Sequence, residues 1–99
     1  MSARDKLPAN KDVLADAERI IPVMRHCLRR GGTLLQQNAG YRNKPTVLID
    51  APRSARLIKE LKANGAESVG KQYGENGKQL LWHAEIDGCL VQWWEAEVL

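Results

Sequence analysis

Two thiols, two imidazoles and a run of cationic side chains are the groups in this chain that could do chemistry. A thiol beside an imidazole is the pattern of a cysteine nucleophile, with the ring taking the proton. His26 and Cys27 are adjacent, but on a helix neighbouring side chains point roughly 100° apart and do not meet. Cys89 and His83 fall on opposite faces of the strand pair described below, which argues against a dyad. His83 and Glu85 share one strand face, where acid–base work is conceivable; alternate polar residues on a strand are more often plain surface groups. With no Cys-x-x-Cys pair and no His-x-x-x-His, no zinc site is supported. No GxGxxG or GxxxxGK[ST] loop is present to cradle a phosphate. The sequence therefore assigns no catalytic residue, no metal and no cofactor, and a non-enzymatic binding role is expected.

The cations are unevenly distributed. Net charge is +3 overall, yet residues 19–62 carry ten basic side chains against Asp50 and Glu60 alone. Residues 63–99 hold six acids against Lys71 and Lys78. A basic middle beside an acidic end predicts a polarised surface suited to a polyanion or an acidic protein. The candidate contacts are Arg25, Arg29, Arg30, Arg42, Lys44, Arg53, Arg56, Lys59 and Lys62 for phosphates, with Tyr41 stacking on bases. The competing reading is two helices whose solvated sides happen to be basic.

These residues must be positioned by a recognisable set of elements. Residues 1–9 lack periodicity and include Pro8, so a flexible tail is expected ahead of one domain over 10–99. Asn10 suits a helix N-cap, and Val13, Ala17, Ile20 or Ile21, Met24 and Leu28 recur at three- and four-residue steps toward Arg30. Acids lead and Arg25, His26, Arg29 and Arg30 trail, as the helix dipole favours, and Gly31-Gly32 ends the run. Pro22 within it predicts a kink or a division into two short helices. Residues 33–37 and 46–50 read as strands, joined by a basic loop holding Tyr41, Arg42 and Lys44. Ala51-Pro52 opens a second helix that buries Leu57, Ile58 and Leu61 and closes at Asn64-Gly65. Cys27 and Cys89 occupy expected core positions and are read as two buried thiols.

Two turn signals organise the remainder. Asn76-Gly77 and Asp87-Gly88 both favour two-residue type I′ hairpins. They predict strands over 67–73, 78–86 and 89–95. The first turn would set Tyr73 against Leu80, Lys71 against Trp82 and Val69 against Ala84; the second would set Ile86 against Cys89, Ala84 against Val91 and Trp82 against Trp93. One face then carries Val69, Tyr73, Leu80, Trp82, Ala84, Ile86, Cys89, Val91 and Trp93 and is the expected core. The other carries Gly70, Gln72, Leu81, His83, Glu85, Leu90, Gln92 and Trp94. On it Leu81, His83, Leu90, Gln92 and Trp94 form a candidate face for a protein partner, because Trp is enriched at interface hot spots.

The expected fold is α+β, in the order helix-strand-strand-helix-strand-strand-strand. An antiparallel sheet of four to five strands would carry two helices on one face. No run behind the first residues resembles a secretory leader and none is long enough to span a bilayer, so a cytoplasmic location without membrane contact is expected. In size, single-domain build and lack of a catalytic signature the chain resembles small accessory proteins of phages and other mobile elements, many of which bind and block host nucleic-acid machinery. The reading is a small binding module for nucleic acid or a nucleoprotein complex. The alternative is a protein-interaction module, an inhibitor or adaptor, using the sheet face around Trp94. A homodimer through that same face is a third expectation.

Overall fold

The computed structural model describes residues 10–38, 44–75 and 77–97. The expected tail at 1–9, Tyr41, Arg42 and Asn76 lie outside the described residues. Helix α1 (Asn10–Arg29) leads to strands β1 (Leu34–Asn38) and β2 (Thr46–Ile49). A 3₁₀ turn (Ala51–Arg53) and helix α2 (Ala55–Ala63) follow, then β3 (Glu67–Gly74), β4 (Gly77–Ile86) and β5 (Cys89–Ala96).

Helix α1 runs without a break through Pro22, whose side chain faces solvent, so the expected division into two helices does not occur. Burial of Ile20, Val23 and Cys27 on either side of the proline holds the two turns to one surface. Gly31 (φ 83°) ends the helix, with the Gly32 N–H donating to the Cys27 carbonyl at 2.8 Å. That six-to-one bond past a left-handed glycine is a Schellman ending. The expected second helix is divided at Ser54, which is fully buried and whose Oγ accepts from the Thr33 N–H at 2.8 Å.

The five strands form one sheet in the order β1-β2-β5-β4-β3. Three of its four pairings are antiparallel, but β2 runs parallel to β5, matching Thr46 with Leu90, Val47 with Val91 and Leu48 with Gln92. The sheet is therefore mixed rather than antiparallel. Chain neighbours joined by tight turns must pair antiparallel, whereas β2 meets β5 only after α2 and the β3–β4 hairpin intervene.

The β4–β5 hairpin has the expected register: Ile86 faces Cys89, Ala84 faces Val91, Trp82 faces Trp93 and Leu81 faces Trp94. Asp87 (φ 48°) and Gly88 (φ 81°) supply the two left-handed residues that a type I′ turn needs. The β3–β4 register differs. Gly77 pairs with Gly74 inside the ladder, so Tyr73 faces Lys78 and Lys71 faces Leu80, two residues off the expected match. A bulge between Ser68 and Gly70 removes Val69 from the ladder and sets Ser68 against Trp82.

The core is a cluster of Ile20, Val23 and Cys27 from α1, Val47 and Ile49 from β2, Leu57, Ile58 and Leu61 from α2, and Cys89, Val91 and Trp93 from β5. Side chains alternate across a strand, so both helices reach the same face of the sheet. Edge strand β3 lies beyond that cover: Tyr73 is 78% and Val69 46% exposed, against their expected core placement. The nine-residue α2 is too short to reach them.

Gly32, just past the end of α1, sits tightly against Leu57 of α2. A Cβ there would stand 2.6 Å from Leu57 Cδ2 and 2.8 Å from the Cys27 carbonyl oxygen, which backbone cannot yield. Gly32→Ala is expected to cost about 1–3 kcal/mol through overpacking. The check is urea unfolding, read as a lower midpoint at unchanged slope.

Candidate nucleic-acid interface

The two helices position the basic residues. At about 100° per residue, Arg25 and Arg29 lie roughly 150–165° round α1 from its buried trio, and Arg56 and Lys59 lie roughly 150° round α2 from Leu57, Ile58 and Leu61. All four side chains are exposed. The helices touch at their near ends: a Cβ on Gly31 would lie 3.8 Å from the Arg56 Cβ, and Arg30 Nη1 donates to Glu60 Oε1. Arg25, Arg29, Arg56 and Lys59 thus share the solvent side of one helical layer.

Four of the other expected cations, Arg30, Lys44, Arg53 and Lys62, are engaged elsewhere. Arg30 pairs with Glu60 between the helices, Lys44 with Glu85 at one end of the sheet across β5, and Arg53 with Asp50 at 3.7 Å. Lys62 bonds Glu95 at 2.9 Å and holds its Nζ 4.3 Å from the centre of the Trp82 ring. Glu95 also accepts from Trp93 Nε1 at 2.7 Å, and Trp82 stacks on Trp93 with centroids 6.2 Å apart. Lys62 is therefore a structural tie between α2 and the β4–β5 hairpin. Among the described residues, Arg25, Arg29, Arg56 and Lys59 have no carboxylate partner. Carboxylates late in the chain, Glu85 and Glu95, neutralise cations of the basic middle. That pairing needs long-range contact, and sequence spacing did not signal it.

The opposite face of the sheet carries no helix among the described residues. Leu81 beside Trp94 and His83 beside Gln92 stand there as expected, half-buried with Leu90. The parallel pairing adds Leu48 of β2 to this row, a residue the turn signals could not place. A groove of about 220 Å³ runs past Gln36, Thr46, Leu48, Leu81, Gln92 and Trp94.

Cys89 lies on the helix-covered face and His83 on the open one, so they form no dyad. No group of three or more His, Cys, Asp or Glu side chains able to hold a metal is present among the described residues. No described helix is long and apolar enough to cross a membrane. Lys78 is held above the usual lysine range by its hydrogen bond to Glu97. Comparison with known proteins finds no matching family model, curated protein or solved structure.

Both thiols are buried and unbridged. Desolvation pushes Cys27 from 9.0 up to about 11, which keeps it protonated and unreactive at neutral pH. Native protein is expected to resist alkylation by iodoacetamide at neutral pH, both thiols reacting once denatured. Above pH 9 the unfolded thiol ionises while the folded one does not. The Cys27 contribution to stability therefore declines as pH rises from 9 toward 11, measurable in the alkaline arm of a denaturant midpoint series.

Proposed function

We propose that this chain is a small non-enzymatic module that binds nucleic acid through the solvent side of its helical layer. The observation that carries the reading is the sorting of cations. Among the described residues Arg30, Lys44, Arg53 and Lys62 are tied to carboxylates, while Arg25, Arg29, Arg56 and Lys59 present their charge together on one exposed surface. Arginine forks and lysine ammonium groups set on rigid helices suit phosphate oxygens. Binding of this kind is driven by counterion release and is insensitive to sequence.

Four phosphate contacts would weaken binding about a hundredfold between about 50 and 200 mM salt. Fluorescence anisotropy with labelled single- and double-stranded DNA and RNA measures that slope. The double reversal Arg56→Glu/Lys59→Glu is expected to abolish binding with the fold intact, since both side chains are exposed. No binding at low salt to any of the four probes would sink the reading.

A second reading is favoured by the open sheet face. Trp94 over Leu81, with Leu48 and Leu90 alongside, offers an aromatic anchor in an apolar row to a protein partner, which would make the chain an inhibitor or adaptor. Under it, Trp94→Ala abolishes partner capture and Arg56→Glu/Lys59→Glu does not.

A further inference from the structure

Helix α1 carries two apolar lines, and the fold buries only one. Ile20, Val23 and Cys27 enter the core. One residue further on, Ala17, Ile21, Met24 and Leu28 repeat at steps of four, three and four, the spacing of a coiled-coil seam. Met24 is partly covered, while Ile21 and Leu28 are 45% and 54% exposed. The seam does not stand alone. Leu35, 59% exposed, projects from β1, the edge strand beside α1, and a groove of about 290 Å³ runs along Met24, Leu34 and Leu35. Three of the largest exposed aliphatic side chains thus fall on one flank, bordering a strand edge that the Leu35 bulge makes unsuited to strand addition.

The charges beside the seam select its occupant. Glu18 and Arg25 are both exposed, seven residues apart, and occupy the same position relative to the seam. When two such helices pair antiparallel, like flanking positions meet across the interface. Glu18 then faces the partner's Arg25, and Arg25 faces the partner's Glu18. In the same alignment Ile21 packs on the partner's Met24 and Ala17 on the partner's Leu28. The surface is therefore complementary to itself about a two-fold axis, the commonest closed arrangement for two identical chains.

We propose that the exposed seam of α1 is the interface of a homodimer formed by antiparallel pairing with α1 of a second copy. The dimer axis lies on the α1–β1 flank, away from the sheet face around Trp94. In the dimer Arg25 pairs with the partner's Glu18 and leaves the set of phosphate contacts, while Arg29, Arg56 and Lys59 of each copy stay on the solvent side of the helical layer.

Sedimentation equilibrium of the full chain, without nucleic acid, tests this. The expected result is a concentration-dependent species of twice 11.1 kDa. Leu28→Glu is expected to be monomeric with unchanged far-UV circular dichroism. Glu18→Arg should weaken association about tenfold through like-charge contact, and Glu18→Arg/Arg25→Glu should restore it. Four results would overturn the proposal: a native chain that stays monomeric up to about 0.2 mM, a dimer indifferent to Leu28→Glu, a dimer lost on Trp94→Ala instead, or a charge swap that fails to restore association.

Discussion

The parallel pairing of β2 with β5 is the contact on which the rest of the structure depends. Without it the sheet would fall into two antiparallel pieces, β3–β4–β5 and β1–β2, and the second, a lone two-stranded hairpin, is too small to be stable by itself. The pairing sets Val47 beside Val91 and brings Ile49, Cys89 and Trp93 onto one continuous apolar surface. That surface is where α1 and α2 can each bury a stripe, and both settle on it. The same event determines what stays open, because helices drawn to one face leave the row from Leu48 to Trp94 on the other.

A second constraint sits at the far side of α2. Trp93 is fully buried, and its indole N–H must find an acceptor. Glu95, two residues on along the same strand face, supplies it, and the carboxylate draws in Lys62, whose ammonium covers Trp82. One acid thereby satisfies a buried donor, anchors a helix and neutralises an exposed cation. Charge sorting follows from packing in this way: strand carboxylates engage the lysines within reach, and the arginines and lysine aimed away from the sheet are left to solvent.

Helix α1 shows the limit of reading amphipathicity from spacing. Its residues support two apolar lines one position apart, and a periodicity argument cannot choose between Ile20 and Ile21. The tertiary structure chose Ile20, Val23 and Cys27 because those side chains fit over the β2–β5 centre, where Gly32 lets α2 come close. Ile21 and Leu28 then had no place in the core, and they remain as an unfilled surface beside the β1 edge. The same logic applies to β3, where Tyr73 had the right alternation for a core residue but lies beyond the reach of any helix.

Much of the fold was legible in the sequence where short-range chemistry decides. The helices, the strands, the α+β class and the β4–β5 register follow from hydrophobic period and from Asp87-Gly88, whose backbone demands a left-handed two-residue turn. The candidate site was legible only as a list of cations. Which of them share a face, and which are neutralised by Glu60, Glu85 or Glu95, depended on contacts between residues 30 to 41 positions apart. The parallel strand pair, the bulge that frees Val69 and the choice between two stripes on α1 belong to the tertiary structure as well. Each is settled by competition for a limited buried surface, and that competition has no local signature along the chain.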